Sequence, residues 1–550
     1  MKKSHFIFLL VGLVMIGSTL RLVRLGHASM WVDEVNSAFA ARSLLETGRD
    51  VLPSGHGYGR AQLFTALVAG SFRLTGFDEF GARLPAAVFG ILSILLVAGL
   101  ARRLYGDRVA LVSAFFMTFS NFEVGWSRVS RMYTLLQLFT LLILYFFLRG
   151  FESGDDAEKA DSGKTGNRLI RYMSRSGISP AYLLVGVGLW LAAVLWVQML
   201  AVFLIPAIGV YLLIRMMSPL LEKDAPFRWI QKYSLALAAG AAGTVLVWTL
   251  VPRVRALAAE AFSYTPPWAA GDPAATHPMV LLEFLISPWR FPLAAFFFIG
   301  VVRHVTRGER EGWINISVFG AVFVLLSFVF THRTPTYLFY VYPLFLMVSA
   351  YGLVHWADSE ILRFKGVARN ATLARRAVVL LVAALFVISP WLRITLNIPR
   401  LPDGVTNLAV TPEEWREASS IVRSGAREGD VIVATLPQVA LYYGIRADYG
   451  LNWANLNQAI EKNIVDSAGN PVDIYAGLPC VRSLEQLRDI VAGSPRGWMM
   501  VSDFHLTHSN YIPEEVRTYI DTRFEKPLYT GRGTVAVYAW DAETSGENAF

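Results

Sequence analysis

The sequence has little cysteine and little charge. Cys480 is the single cysteine among 550 residues, which excludes an internal disulfide framework and a metal site built from several thiolates. Charged residues make up only 17% of the chain and hydrophobic residues 54%, so the apolar content exceeds what a soluble core of this length needs. The sequence therefore predicts that a large part of the protein lies within a lipid bilayer.

The excess of basic over acidic residues gives a formal net charge of +8. Lys and Arg cluster between the apolar segments, and they form no basic stripe interleaved with aromatic residues. We therefore expect no nucleic-acid partner.

Apolar segments long enough to cross about 30 Å of hydrocarbon as helices recur from Phe6 to Arg393 and then stop. Because basic residues concentrate in alternate loops, we expect a multi-pass protein of the cytoplasmic membrane with its N-terminus in the cytoplasm and its C-terminal region outside. The first segment resembles a signal peptide, but Gly26-His27-Ala28 is a poor cleavage site, so an uncleaved helix is predicted. About eleven spans are predicted, at residues 6–22, 84–101, 109–122, 133–149, 181–197, 199–215, 233–251, 289–303, 313–330, 336–354 and 376–394.

From about residue 397 the pattern changes to alternating helix and strand signals. Thr411-Pro412-Glu413-Glu414 and Ser483-Leu484-Glu485-Gln486 are capping boxes, and Val431–Ala434 and Trp498–Ser502 have the composition of strands. Gly531-Arg532-Gly533 marks a hairpin. The predicted fold is a multi-spanning α-helical domain at residues 1–396, with surface helices in an outer loop at about 30–80, followed by an extracytoplasmic α/β domain at 397–550.

The first outer loop carries an adjacent acidic pair, Asp33 and Glu34. Apolar residues from Trp31 to Gly48 recur near helical spacing, which indicates a short helix lying on the membrane surface. Adjacent residues point roughly 100° apart on a helix, so one carboxylate can serve chemistry while the other pairs with an arginine or stabilises the helix. The alternative is that both carboxylates only complement the helix dipole in its first turn.

Further ionisable and aromatic residues lie in the predicted outer loops. A carboxylate with several arginines at one membrane face suits the displacement of an anionic, lipid-attached leaving group, because the carboxylate takes the acceptor proton and arginines stabilise the departing phosphate. The alternative for each arginine is interfacial anchoring to lipid headgroups. The residues are His56, Tyr58 and Arg60 in the first loop, Arg131 and Tyr133 in the next, and His332, Arg333 and Tyr337 at another helix end.

A phosphate leaving group is a weak base, so one carboxylate suffices and no cofactor is required. A divalent metal held by Asp33 and Glu34 is the open alternative, since Mg²⁺ often takes one or two carboxylates plus phosphate and water. The predicted outer loops place no third carboxylate at ligand spacing beside this pair.

Several ordered motifs resemble the GT-C superfamily of glycosyltransferases, and within it the protein O-mannosyltransferases and the lipid A aminoarabinose transferase. These motifs are Trp31-Val32-Asp33-Glu34, Phe80-Gly81-Ala82-Arg83-Leu84-Pro85, Ser127-Arg128-Val129-Ser130-Arg131-Met132-Tyr133 and Thr336-Tyr337-Leu338. Tyr58-Gly59-Arg60 lies where some relatives have Tyr-x-Arg, and the Pro-Pro of others is absent.

The resemblance implies an inverting transfer of a hexosyl or pentosyl group from a polyprenyl-phosphate sugar to an acceptor hydroxyl on a lipid, glycan or protein. Asp33 matches the catalytic carboxylate and Glu34 its acidic neighbour. Arg131 matches an arginine associated with the lipid phosphate, and Arg333 is a weaker match. We assign Arg60 and Tyr133 to the same phosphate, and the substrate-contacting residues are Tyr58, His56, His332 and Tyr337.

A transporter or flippase of lipid-linked sugars is the alternative class, because such a protein binds the same lipids without covalent chemistry. Transporters place ionisable residues near the middle of the membrane and contain internal repeats. The predicted spans are nearly free of such charges, which favours the enzyme.

Overall fold

The computed structural model describes residues 2–151, 179–217, 227–263, 277–288, 290–307, 312–330, 333–358, 383–384, 413–524, 526–530 and 534–541. The chain divides into two compact units. The first comprises Met1–Val23, Ala86–Thr265 and Pro273–Leu408, and the second comprises Arg24–Pro85, Pro266–Asp272 and Ala409–Phe550. The second unit thus combines the first predicted outer loop with the C-terminal region.

The first unit is built from apolar helices. Among the described residues, seven helices are long and apolar enough to cross a membrane, or eight if a bent pair counts as one span. They coincide with eight of the predicted spans. They are α1 (Lys3–Leu22), α4 (Glu79–Tyr105), α7 (Tyr133–Phe151), α8 (Pro180–Ala192) with the π-helical turn Ala193–Val197, α9 (Leu204–Met217) after the 3₁₀ turn Met199–Phe203, α10 (Phe227–Leu250), the bent pair α12 (Val280–Ile286) and α13 (Phe291–Arg307), and α15 (Tyr342–Asp358) after the 3₁₀ turn Pro335–Val341.

Two other predicted spans form shorter helices. The span predicted at 109–122 is α5 (Asp107–Phe119), which ends because Ser120 has extended backbone and caps α6 (Asn121–Trp126) through its side chain. The span predicted at 313–330 is α14 (Trp313–Val324), continued by the π-helical turn Leu325–Val329. A further helix of this unit is α11 (Pro252–Ser263). The prediction at 376–394 falls outside the described residues, apart from 383–384.

The N-terminal part of the second unit contains α2 (Val32–Thr47) and α3 (Gln62–Thr75). Helix α2 occupies the stretch in which the sequence predicted one, and it ends at Gly48, whose φ of 76° lies in the left-handed region that glycine tolerates. Helix α3 has 14 residues and lies within the outer loop at about 30–80, for which helices were predicted. The Phe39 and Phe72 rings contact Phe77 at centroid distances of 6.1 and 5.1 Å, which joins the two helices.

The C-terminal part of the second unit is an α/β domain around a five-stranded sheet of order β2-β1-β3-β5-β4. Strands β1, β2 and β3 are parallel, whereas β5 runs antiparallel to β3 and β4. A core that includes Val433, Met499 and Val501 covers the sheet. The elements are α16 (Trp415–Gly425), β1 (Val431–Ala434), α17 (Pro437–Tyr442), β2 (Tyr449–Gly450), α18 (Trp453–Glu461), α19 (Leu484–Gly493), β3 (Arg496–Ser502), α20 (Asp503–Thr507), α21 (Glu514–Arg523), β4 (Tyr529–Thr530) and β5 (Val535–Asp541).

Most local predictions for this domain are confirmed. β1 has the predicted bounds and β3 begins two residues earlier than predicted. The Ser483 Oγ accepts a hydrogen bond from the Gln486 N–H at 3.1 Å, as the capping box requires. Strands β4 and β5 form the predicted hairpin, although its turn at 531–533 lies outside the described residues. The first half of the other capping box, Thr411-Pro412, is likewise not described.

Candidate active site

Glu34 is locked into a buried ion pair at the start of α2. Its side chain is fully buried, and its Oε1 and Oε2 accept hydrogen bonds from Arg83 Nε and Nη2 at 2.8 and 2.9 Å. Oε2 also accepts one from the Trp31 N–H at 3.0 Å, which caps the helix. A bidentate arginine fork of this kind fixes both partners. The geometry therefore suits Glu34 to hold the helix terminus rather than to touch a substrate.

The remaining N–H groups of Arg83 donate hydrogen bonds to the backbone just before α2. Nη1 donates to the Leu25 and Ala28 carbonyls at 3.0 and 2.9 Å, and Nη2 donates to the Ser29 carbonyl at 3.0 Å. Only 3% of Arg83 is exposed, so these bonds compensate for removing its charge from water. The sequence predicted an arginine partner for one carboxylate but did not identify it, although Arg83 stands in one of the quoted motifs.

Asp33 has a different environment from its neighbour. Its side chain is half-buried, whereas Glu34 has no exposed surface. One turn further along α2, the Ser37 Oγ donates to the Asp33 carbonyl at 3.0 Å and shares a 2.9 Å hydrogen bond with the Tyr58 hydroxyl. Tyr58 therefore lies beside the face of α2 that begins at Asp33.

His56 and Arg60 flank Tyr58 in the same loop. The Tyr58 N–H donates to the Asp50 carbonyl at 2.8 Å, and the His56 carbonyl accepts from the Leu52 N–H at 2.9 Å, so the loop is folded back on itself. Partial burial lowers the pKa of His56, and the positive charges of Lys462 and Arg60 lower it further. His56 is therefore neutral near pH 7. The side chain of Arg60 is exposed.

Arg131 and Tyr133 belong to the first unit. Arg131 is 6% exposed and lies just before α7, and its N–H donates to the Val129 carbonyl at 2.7 Å. The Tyr133 ring meets Trp126 edge to face, with centroids 4.8 Å apart. An arginine buried to this extent fits interfacial anchoring to lipid headgroups poorly, since that role leaves the guanidinium at the water boundary.

Arg333 and Tyr337 lie at a second loop of the same unit. The Arg333 Nε donates to the Ser327 carbonyl at 2.6 Å, and the Tyr337 ring packs against Phe330 at 5.5 Å. The Gln137 Nε2 of α7 donates to the Phe339 carbonyl at 3.1 Å. This bond and the Trp126–Phe339 ring contact at 6.4 Å join the segment that contains Tyr337 to the one that contains Arg131 and Tyr133. His332 lies outside the described residues.

A buried polar cluster in the first unit was missed by the sequence analysis. Glu123 is fully buried, and both its carboxylate oxygens lie within 2.9 and 3.1 Å of the donor Gln137 Nε2. Arg21, also fully buried, donates from Nε to the Ser127 Oγ at 3.1 Å. The Ser127 Oγ in turn donates to the Glu123 carbonyl at 2.6 Å. The available signal was a charged residue beside the end of a predicted span, Arg21 in the span 6–22 and Glu123 just after the span 109–122.

The residues present fit a two-carboxylate metal site poorly. Both oxygens of Glu34 already accept hydrogen bonds from Arg83, and a cation would have to compete with that guanidinium. The described residues contain no group of three or more His, Cys, Asp or Glu side chains arranged to hold a metal. We therefore derive no chemical step through a metal.

The architecture is similar to those of several solved structures. The chain is similar over its whole length to the crystal structure of ArnT from Cupriavidus metallidurans in the apo state, with a TM-score of 0.57 and 14% identity, and both chains are covered completely. The same protein bound to undecaprenyl phosphate matches with a TM-score of 0.57, 13% identity and 98% coverage of each chain. The archaeal oligosaccharyltransferase AglB from Archaeoglobus fulgidus, in complex with an inhibitory peptide and a dolichol-phosphate, matches with a TM-score of 0.55 and 11% identity over 93% of this chain and 72% of its own.

These matches show that the chain has a fold similar to those of ArnT and of the oligosaccharyltransferase AglB. The resemblance predicted from the sequence motifs is thereby confirmed at the level of the fold. More particularly, residues 60–158 match the family model of the dolichyl-phosphate-mannose-protein mannosyltransferases. No curated protein sequence matches the chain.

Proposed function

We propose that this protein is an inverting glycosyltransferase that moves a sugar from a polyprenyl-phosphate donor to an acceptor hydroxyl at the outer face of the cytoplasmic membrane. The observation that carries the proposal is the contrast between two adjacent carboxylates. Glu34 is buried and held by Arg83, while Asp33 is half-buried at the start of the same helix. Similar solved structures hold undecaprenyl phosphate or a dolichol-phosphate, which supports a lipid-phosphate donor.

The proposed reaction is a single displacement at the anomeric carbon of the sugar. Asp33 accepts the proton of the acceptor hydroxyl. The oxygen of that hydroxyl forms the new bond to the anomeric carbon, on the face opposite the phosphate. The bond between the anomeric carbon and the phosphate oxygen breaks, and its electron pair leaves with the polyprenyl phosphate. Arg131 and Arg333, together with Arg60 and Tyr133, are the candidates for stabilising that charge.

The remaining candidates are assigned to the sugar and the acceptor. Tyr58 is the best supported because its hydroxyl bonds to Ser37, one turn from Asp33. His56, His332 and Tyr337 stay predictions, as does the cytoplasmic placement of the N-terminus. The acceptor classes compatible with this chemistry are a lipid, a glycan and a protein hydroxyl.

The test is transfer by the full-length protein in detergent, with radiolabelled polyprenyl-phosphate sugars as donors. We expect Asp33→Asn to lower kcat by about 10²–10⁴-fold, the usual contribution of a general base. Glu46→Gln is the matched control, because it removes a carboxylate from the same helix at an exposed position. It should retain activity within about twofold, since exposed ion pairs contribute little.

Two results would contradict the proposal. Release of polyprenyl phosphate that survives Asp33→Asn would exclude the general-base role. Movement of intact labelled donor across vesicle membranes, without any release of polyprenyl phosphate, would favour the transporter instead. Addition of EDTA tests the metal alternative in the same assay, and we expect no loss of transfer.

A further inference from the structure

The C-terminal domain meets the first outer loop at one edge of its sheet. In open α/β sheets, ligands bind outside the carboxyl ends of the parallel strands, where neighbouring strands connect in opposite directions. Here β1 lies between β2 and β3, and the three strands are parallel. Beyond the end of β1, the Thr435 Oγ1 accepts from the N–H of Ser502, the last residue of β3, at 2.9 Å. The carboxyl edge of the sheet is thus defined by Thr435 and Ser502.

Arg416 reaches the outer loop from this edge. Its helix, α16, begins there, since the Ser502 Oγ donates to Glu413 Oε1 at 2.8 Å just before the helix. The guanidinium of Arg416 donates to the Gly26 and His27 carbonyls at 3.0 and 2.6 Å, and it forms an ion pair with Glu79. Three groups of the outer loop and the start of α4 are therefore bound by a single side chain.

Tyr443 provides a second link, and its partner Met30 is closer to Asp33 in the sequence than the partners of Arg416 are. The tyrosine follows α17, the helix after β1, and its hydroxyl accepts a hydrogen bond from the Met30 N–H at 2.7 Å. Met30 is buried and stands three residues before Asp33. The backbone that Tyr443 holds is the same short stretch that Arg83 holds through the Ser29 carbonyl.

Two more contacts extend this interface along the loop. The Tyr442 ring packs against Phe39 in the middle of α2 and against Phe77, with centroids 6.0 and 5.2 Å apart. The Ser54 Oγ donates to the Ile474 carbonyl at 2.6 Å. A Cβ on Gly477 would come within 2.6 Å of the Ser54 Cα, so the two backbones touch where only glycine fits. The interface therefore extends from residue 26 to residue 79.

We infer that the C-terminal domain positions α2 for catalysis, and that Tyr443 and Arg416 are its positioning residues for Asp33. The edge at which open α/β sheets bind ligands is here occupied by the outer loop of the same chain. The inference rests on the proposed function, because it takes Asp33 as the base. A base displaced by even about 1 Å loses much of its catalytic effect, which gives the interface a chemical role beyond stability.

The test combines kinetics with hydrogen exchange on the full-length protein. Tyr443→Phe removes one oxygen and leaves the ring, so we expect kcat to fall about three- to tenfold while KM for the donor stays within about twofold. The amides of residues 30–36 should exchange faster than in the wild type, because Met30 loses its acceptor. A residue needed only for folding would lower the amount of active protein without changing the exchange of this segment selectively.

Arg416→Gln is the second variant, and Arg427→Gln is its matched control. Arg427 is an exposed arginine of the same domain that precedes β1 and therefore lies at the opposite edge of the sheet. We expect a fall in kcat and faster exchange at residues 26–36 for Arg416→Gln, and neither change for Arg427→Gln. Arg416→Lys should recover part of kcat, because lysine keeps the ion pair with Glu79 but not the two carbonyl bonds together.

The outcomes separate this inference from the proposed function. Wild-type kcat in both Tyr443→Phe and Arg416→Gln would overturn the positioning role and leave the transferase intact. Equal losses of kcat in Arg416→Gln and Arg427→Gln would overturn it as well. A wild-type protein that transfers no sugar from any donor would contradict the proposed function, whereas the exchange of residues 30–36 would still report whether the domain holds α2.

Discussion

Arginines stabilise each of the two units by different means. In the first unit, Arg21 and Arg128 bond mainly to backbone carbonyls at helix ends: Arg21 donates to Gly17, Met117 and Thr118, and Arg128 donates to Leu20, Arg21 and Val23. In the second unit, Arg83 and Arg416 each pair with a carboxylate and also bind carbonyls. The bonds of Arg21 and Arg128 to carbonyls join helices of the first unit. Arg83 and Arg416 also form ion pairs, with Glu34 and Glu79.

This difference explains how two adjacent acids acquire different surroundings. Arg83 forms an ion pair with Glu34, and it also donates hydrogen bonds to the backbone carbonyls of Leu25 and Ser29. The neighbouring Asp33 lies on the helix end that this ion pair fixes, and it is only half-buried. Substitutions of the arginines in the two units should therefore have unequal costs, and the following predictions test that inequality.

The largest effect on stability is expected for Arg83→Ala. Removal of one partner leaves Glu34 as an uncompensated buried charge, so the free energy of unfolding should fall by about 3–5 kcal/mol. Denaturant unfolding of the full-length protein in detergent measures this loss. The double variant Glu34→Gln with Arg83→Gln should lose less than the sum of the two single variants. A loss below about 1 kcal/mol for Arg83→Ala would contradict the comparison.

A smaller loss is expected for Arg128→Ala in the first unit. Its Nη1 donates to three carbonyls at the end of α1, which are neutral groups, and the bond to Val23 is exposed. The expected loss is about 1–3 kcal/mol in the same unfolding assay. If it equalled the loss for Arg83→Ala, the distinction between carbonyl-bound and carboxylate-bound arginines would be wrong.

Glu413→Gln should have an effect that depends on pH. Burial raises the pKa of Glu413 to about 7, although hydrogen bonds from Trp415 and Ser502 lower it in part. The folded state thus binds its proton more tightly than the unfolded state, so this group stabilises the protein below about pH 4.5 and the contribution is lost as the pH rises toward 7. Because part of the residue is exposed, we expect the gain from Glu413→Gln to reach only about 1 kcal/mol at pH 8.

The measurement for Glu413 is the melting temperature of the full-length protein at pH 5 and pH 8, with the variant compared to the wild type at each pH. Burial lowers the pKa of His505 to about 3, which acts in the opposite direction. Since His505 is present in both proteins, its contribution cancels. A variant that is destabilised equally at both pH values would contradict the predicted ionisation.

The smallest effect is expected for Arg42→Ala. Arg42 and Glu46 form an ion pair at 2.7 Å on the outside of α2, with side chains 49% and 57% exposed. Exposed pairs of this spacing contribute about 0.3–0.5 kcal/mol. The Arg42 guanidinium also lies 4.9 Å from the centroid of the Phe77 ring, a contact of about 0.5 kcal/mol at an exposed site, so the free energy of unfolding should fall by less than about 1 kcal/mol. A cost close to that of Arg83→Ala would show that burial is not what separates the arginines.

Local features were predicted well from the sequence. Helix α2, strand β1 and the cap at Ser483 each depend on residues a few positions apart, and each is confirmed. The early end of α5 was not predicted, because Ser120 stops the helix through a side-chain cap while the apolar composition continues. Composition reports on solvent preference, whereas a cap depends on a single hydrogen bond.

The arrangement around Asp33 could be predicted only in part. The divergence of two adjacent helical side chains follows from helix geometry, which gave one candidate base and one partner. The identity of that partner, Arg83, depends on tertiary structure across 49 residues. The bond between Met30 and Tyr443 crosses 413 residues, and no periodicity in either segment indicates it.

That separation has a consequence for the biosynthesis of the protein. The ribosome makes Met30 early and Tyr443 only after another 413 residues. At about 5–20 residues per second, the outer loop waits about 20–80 s for its partner surface. During this interval the segment from residue 26 to residue 30 lacks the hydrogen bonds that Arg416 and Tyr443 make with it in the folded protein.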